Sequence, residues 1–258
     1  MNLLKIAMVQ AELRWRDPAA NRDHLAELMD SSPGADLFLL PETFATGFLG
    51  DSERDAEGMD GASVNWMVEQ AASRGAAVAG SLALLDETKK RRNRFLFVGA
   101  EGVIAHYDKR HLFGFGGEDA RYSAGKRTCT FDWRGWRIDL QVCYDLRFPV
   151  WCRNDRAFDL QLFVANWPSP RVAAWQSLLK ARAIENQSYV IGINRSGRDG
   201  NEIDYPGHSS AWTAMGDCLA ELDEQEQVRQ VDLDLAALRQ LREKFPFLKD
   251  GDRFAVEC

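Results

Sequence analysis

Histidine, paired cysteine and long apolar runs are scarce in this sequence, and each shortage removes a class of function. Only four histidines occur in 258 residues, at His24, His106, His111 and His208. None stands at ligand spacing from a cysteine and no Cys-x-x-Cys pair is present, so no metal site is indicated. The five cysteines (Cys129, Cys143, Cys152, Cys218 and Cys258) are odd in number and scattered. They form no disulfide framework, which fits a reducing compartment. No apolar run approaches the ~20 residues of a membrane span. The apolar start, residues 1–10, lacks the charged opening, long apolar stretch and cleavage site of a secretory signal. A cytoplasmic chain with no membrane association is expected. The formal net charge is -7, and the one basic run, Lys89-Lys90-Arg91-Arg92, reads as a solvated turn. Nucleic acid is therefore not an expected partner.

What the chain does contain is enough apolar material for a large core, 45% of its residues. A chain of this size buries roughly three quarters of its unfolded surface. No repeat, low-complexity tract or Pro/Gly-rich linker divides it, so one domain over 1–258 is expected. Strand-like runs cover 4–11, 36–40, 76–84, 95–99 and 103–107, then 137–142, 159–165, 189–194 and 211–214. Helical spacing covers 21–29, 64–73, 173–187 and 235–244. Turn signals at Ala100-Glu101-Gly102 and Arg134-Gly135 mark two hairpins, the second flanked by Trp133 and Trp136 as a cross-strand pair. Pro149 fits the first turn of a short helix. The pattern predicts a layered α/β domain and does not by itself select a topology.

Three segments carry possible chemistry. In Leu37-Phe38-Leu39-Leu40-Pro41-Glu42, a doubly buried strand ends at a proline and a glutamate comes next. A carboxylate at the mouth of such a strand is poorly solvated and suited to taking a proton. In Tyr107-Asp108-Lys109-Arg110-His111-Leu112-Phe113, a lysine closes a strand. In Ile138-Asp139-Leu140-Gln141-Val142-Cys143-Tyr144-Asp145-Leu146-Arg147-Phe148-Pro149, an alternating strand ends on a cysteine and a helix begins soon after. That junction can present a nucleophile beside backbone N–H groups able to hold an oxyanion. Each segment alone has an ordinary reading: a capping glutamate, a solvated lysine, a packed cysteine.

Together and in this order, the three segments resemble the Glu, Lys and Cys motifs of the nitrilase superfamily of carbon–nitrogen hydrolases. The motif residues stand 67 and 34 positions apart, and the resemblance covers nearly the whole chain. It implies an α/β fold of the four-layer α-β-β-α sandwich type that pairs into a homodimer through helical faces. The segment at 173–187 and the C-terminal segment are the implied contacts. It also implies a metal- and cofactor-free reaction in which Cys143 attacks an amide carbon and Glu42 moves the protons. Lys109 and the backbone N–H of Tyr144 would hold the oxyanion; one such donor is worth ~3 kcal/mol. Gly117-Glu118-Asp119 resembles the region of the second glutamate, giving Glu118 the task of positioning Lys109 or the substrate amide. Val164-Ala165-Asn166-Trp167-Pro168, Arg182-Ala183-Ile184-Glu185-Asn186-Gln187 and Glu243-Lys244-Phe245-Pro246 resemble the bacterial ω-amidase branch. Those enzymes hydrolyse 2-oxoglutaramate or 2-oxosuccinamate to the 2-oxo acid and ammonia.

Such a substrate needs a cation for its distant carboxylate, for which Arg147, Arg171 and Arg195 are candidates. It also needs an apolar wall, for which Phe44, Phe48, Phe115 and Trp167 are candidates. The other cysteines are given no chemical role: Cys129 lies in a strand, Cys218 follows a turn, Cys258 is the terminus, and Cys152 packs in the helix after Cys143. A nitrile or N-carbamoyl hydrolase would use the same reacting residues with a different pocket. A thiol-sensing or binding protein on the same fold would not turn over any amide. A Cys–His enzyme is the rival chemistry, with His111 as its base. Glu42→Gln is expected to abolish amide turnover, whereas His111→Ala reduces it without abolishing it. Assay of both variants for ammonia release decides, and the reverse pattern overturns the Glu–Lys–Cys scheme.

Overall fold

Alternation along the first strand sets the layering. In the computed structural model, which describes residues 3–48 and 56–256, β1 (Leu3–Gln10) sends Leu4, Ile6 and Met8 into one apolar cluster and Ala7 and Val9 into another. The second cluster lies under two helices, α1 (Pro18–Asp30) and α2 (Ala62–Arg74), through Leu25, Met29, Trp66, Met67 and Ala71. The first cluster lies between two sheets.

One sheet contains β1, β2 (Leu37–Leu39), β3 (Ala77–Leu85), β4 (Arg91–Gly99), β5 (Gly102–Asp108) and β14 (Gln227–Asp234), in the order β14-β1-β2-β3-β4-β5. The other contains β6 (Thr130–Trp133), β7 (Trp136–Val142), β8 (Leu160–Ala165), β9 (Tyr189–Asn194), β12 (Ser210–Trp212) and β13 (Cys218–Glu221), in the order β13-β12-β9-β8-β7-β6. A two-stranded ribbon, β10 (Ser196–Arg198) with β11 (Asp204–Pro206), stands apart. Within each sheet the central strands run parallel, β1-β2-β3 and β7-β8-β9, and the flanking pairs are antiparallel. Helix α3 (Val172–Asn186) covers the second sheet with Trp175, Leu179 and Ala183. Helix α4 (Leu235–Lys244) comes after β14 and buries Leu235 and Leu238. The result is a four-layer α-β-β-α sandwich.

Local chemistry accounts for the helix ends. Asp17 caps α1 by accepting from Ala20 N at 3.0 Å, with Pro18 in the first turn. Asp234 does the same for α4 toward Ala236 N and Ala237 N.

Several expectations need correction. The basic run at 89–92 is only half turn: Arg91 and Arg92 open β4, and Arg92 pairs with Asp86 at 2.9 Å. Beyond β7 the chain forms a five-residue 3-10 segment, Cys143–Arg147, and the region of Pro149 and Cys152 is turn rather than helix. Cys152 is nevertheless packed, buried and directed at Asp145 O. Trp133 and Trp136 are register partners, but their rings turn to Phe97 and Tyr189 respectively. Cys258 lies outside the described residues.

The two sheets place four strand ends at one edge: those of β2, β5, β7 and β8, succeeded directly or within three residues by Glu42, Lys109, Cys143 and Asn166. Carboxyl ends of parallel strands are where α/β folds build sites. Gly125 helps fix one of these ends, donating from its N to Lys109 O at 2.8 Å. A Cβ there would collide with the backbone oxygen of Asp108. Gly125→Ala is expected to destabilise the protein by about 1–3 kcal/mol, as overpacking does. Thermal unfolding checks this: the melting temperature falls by several degrees, and no fall would show that the strand end yields freely.

Candidate active site

Glu42 leaves β2 fully buried and takes hydrogen bonds on both oxygens. Its Oε1 accepts from Lys109 Nζ at 2.8 Å and Asn93 Nδ2 at 2.7 Å. Its Oε2 accepts from Asn166 N at 2.7 Å and Asn166 Nδ2 at 3.3 Å. Lys109 Nζ also donates to Glu118 at 2.9 and 3.0 Å, and Asn93 Nδ2 reaches Glu118 Oε1 at 3.1 Å. One ammonium is thus shared by two carboxylates in a buried site. Burial alone would strip the proton from Lys109, but Glu118 and Glu42 outweigh it and hold the lysine well above its ordinary pKa. Burial, and then the neighbouring charge of Glu42, push Glu118 upward against the pull of Lys109. The Phe48 ring lies 5.4 Å from the ammonium.

Cys143 stands where β7 gives way to the 3-10 segment, with φ +46. Thr43, just after Glu42, has φ +43. Left-handed backbone at two residues other than glycine is strain of the kind held at functional sites. The expected exposed nucleophile is in fact 8% exposed. Burial, and after it the charge of Glu42, raises its thiol pKa well above the ordinary value, opposed by Lys109. The resting sulfur is a thiol that needs a base. Tyr144 lies in the first turn of the 3-10 segment, where backbone N–H groups have no partner within the helix.

Cys143 also lines a cavity of about 1110 Å³, whereas Glu42, Lys109 and Glu118 do not. Phe48, Phe115, Tyr144, Arg147, Trp167 and Arg171 line it with Cys143. The guanidinium of Arg147 lies over Trp167 at 5.1 Å and that of Arg171 over Phe113 at 4.9 Å. Among the described residues neither has an ion-pair partner. Two candidates are not brought to the cavity. Phe44 is fully buried under α2, beside Trp66 at 5.8 Å. Arg195 is fully buried, donates to Leu13 O at 3.0 Å and Ser196 O at 3.1 Å, and packs on Tyr205. Its Nη1 is buried without a hydrogen-bond partner.

Sequence reasoning gave no role to Asn93 or Asn166, which fix Glu42, or to Phe113, which supports Arg171. Asparagines directly after or within strands were the available signal. His111 is a hydrogen-bonding residue: its Nδ1 lies 2.7 Å from Asp145 Oδ1 and its ring stacks on Phe148. Among the described residues no group of His, Cys, Asp and Glu converges as metal ligands, and no helix is long and apolar enough to cross a membrane.

The sequence model of the carbon–nitrogen hydrolases matches residues 5–243. The chain belongs to that family. It is similar to the omega-amidase YafV of Escherichia coli strain K12, 46% identical over 254 residues that cover 98% of each chain. It is also similar to the 2-oxoglutaramate amidase of Bacillus subtilis strain 168, 30% identical over 95% of this chain and 96% of that one. The crystal structure of XC1258 from Xanthomonas campestris, a CN-hydrolase superfamily protein with an arsenic adduct in its active site, superposes with a TM-score of 0.96. It is 48% identical, with 100% of both chains covered. The protein is accordingly a nitrilase-superfamily hydrolase of carbon–nitrogen bonds other than peptide bonds.

The charges around Cys143 give a signed expectation. Glu42 disfavours the thiolate, so Glu42→Gln lowers the pH midpoint of Cys143 alkylation while amide turnover is lost. Iodoacetamide labelling across pH, read on the Cys143 peptide by mass spectrometry, checks this; an unchanged or higher midpoint contradicts it.

Proposed function

We propose that the protein is an ω-amidase that converts a 2-oxo dicarboxylic monoamide, 2-oxoglutaramate or 2-oxosuccinamate, to the 2-oxo acid and ammonia. The observation that carries this reading is the pairing, in one cavity, of the Cys143 thiol with two guanidinium groups that have no carboxylate partner among the described residues. The similarity to an omega-amidase and a 2-oxoglutaramate amidase supports it.

Cys143 Sγ attacks the terminal amide carbon as Glu42 accepts the thiol proton. The carbonyl oxygen becomes an oxyanion held by the Lys109 ammonium and the Tyr144 N–H. Collapse breaks the C–N bond, Glu42 returns its proton to the leaving nitrogen, and ammonia departs from a thioester on Cys143. Water, losing a proton to Glu42, attacks the thioester; the acid leaves and the thiol is regenerated. Glu118 does not react. It fixes Lys109, from which it accepts two hydrogen bonds. Arg147 and Arg171 take the substrate carboxylate, their planes set by Trp167 and Phe113. Phe48 and Phe115 wall the short chain. The outward side of α3, which carries the exposed Ile184, is the face we assign to a homodimer contact.

Ammonia release is the test, measured on 2-oxoglutaramate, 2-oxosuccinamate, glutamine, asparagine and simple nitriles. The two 2-oxo amides are expected to lead, and Cys143→Ala to lose turnover. Arg171→Ala should raise KM for 2-oxoglutaramate about tenfold or more, the value of a charged hydrogen bond. It should leave KM for an amide without a carboxylate unchanged. Preference for a nitrile or an N-carbamoyl compound would overturn the substrate assignment.

A further inference from the structure

Asp145 is fully buried two residues after Cys143, and the mechanism above makes no use of it. Its carboxyl group is nonetheless heavily bonded. Oδ1 lies 2.9 Å from His111 N and 2.7 Å from His111 Nδ1; Oδ2 lies 2.8 Å from Tyr107 Oη and 3.1 Å from Val142 N. Tyr107 and His111 stand two residues either side of Lys109, and Val142 immediately precedes Cys143. Tyr107 is itself pinned, accepting from Trp151 Nε1 at 2.9 Å and Arg110 N at 3.1 Å. Burial and the adjacent Asp145 keep its phenol protonated, so it donates.

We propose that Asp145 is a positioning residue that fixes the Lys109 strand end of one sheet against the Cys143 turn of the other. No other side chain among the described residues bonds both the residues flanking Lys109 and the residue before Cys143. The strained φ of Cys143 gives the clamp its purpose, since the turn would relax if nothing over-determined it. The arrangement tolerates no donor at this position. In Asp145→Asn, whichever way the amide turns, its NH2 faces a donor: the main-chain His111 N on one side, or Tyr107 Oη and Val142 N on the other.

The inference rests on Cys143 and Lys109 acting together as proposed, and the test separates the two. Asp145→Asn is compared with the parent in ammonia release from 2-oxoglutaramate and in the pH midpoint of Cys143 alkylation by iodoacetamide. The expected result is a fall in kcat of about a hundredfold, the cost of a small misplacement of reacting groups. KM stays within about threefold of the parent, because the carboxylate site is untouched. The alkylation midpoint also moves, because Glu42 and Lys109 set it only while the sulfur is in place. A folded variant with unchanged kcat, or with unchanged midpoint, overturns the proposal; the latter result would mark Asp145 as merely structural. Should Asp145→Asn fail to fold, Tyr107→Phe removes one donor to Asp145, together with the acceptor of Trp151 Nε1 and Arg110 N, and decides the matter by the same two readouts. If the parent releases no ammonia from either 2-oxo amide, the proposed substrate fails, while the alkylation midpoint still tests the clamp.

Discussion

A single ammonium, Lys109 Nζ, sits between Glu42 and Glu118, and all three side chains are fully buried. Desolvating three charges is costly, and the arrangement survives only because the charged atoms find partners in one another and in the groups around them. Breaking such a cluster by deleting one member costs about 3–5 kcal/mol, because it leaves an uncompensated buried charge. The surroundings answer to this constraint. Asn93 spans both carboxylates, Asn166 closes Glu42 from the far side, and the backbone N of Phe113 caps Glu118 Oε2 at 2.7 Å. Much of the polar structure near the site is there to make one buried cation tolerable.

The same cluster depends on the packing of two sheets. Glu42 and Lys109 belong to strand ends of one sheet, Cys143 and Asn166 to strand ends of the other. Side chains such as Ile6, Met8, Phe97, Ile138, Leu140 and Leu162 form the apolar cluster between them. Interiors packed at crystal-like density have little freedom to slide. Hydrogen bonds that cross between the sheets, Asn166 to Glu42 and Tyr107 to Asp145, can therefore stay short although their partners are far apart in sequence. The core is thus also the scaffold that sets reacting distances.

The cavity side is built differently. Arg147 and Arg171 lie over Trp167 and Phe113 at the cavity wall. Arg195 shows the contrast: an identical side chain, also on an aromatic ring, but sealed in, with Nε and Nη2 donating to main-chain carbonyls. Burial pulls its pKa down.

The sequence alone determined the strand-ending motifs, because alternation and an abrupt change of residue type are local signals. Glu42 after Leu40-Pro41, Lys109 after Tyr107-Asp108 and Cys143 after Val142 were all legible, and so was the layered α/β class. Strand β14 was missed although Val231 and Leu233 alternate inward, since its neighbours Gln230, Asp232 and Asp234 made it look like surface chain. Tertiary structure alone decided which arginines face the cavity, because Arg147, Arg171 and Arg195 differ in surroundings and not in type. It alone gave Asn93, Asn166 and Asp145 their places, since their partners lie tens of residues away or in the opposite sheet. Local pattern fixes where a strand stops; only the packing of the two sheets decides what the residue at its end will meet.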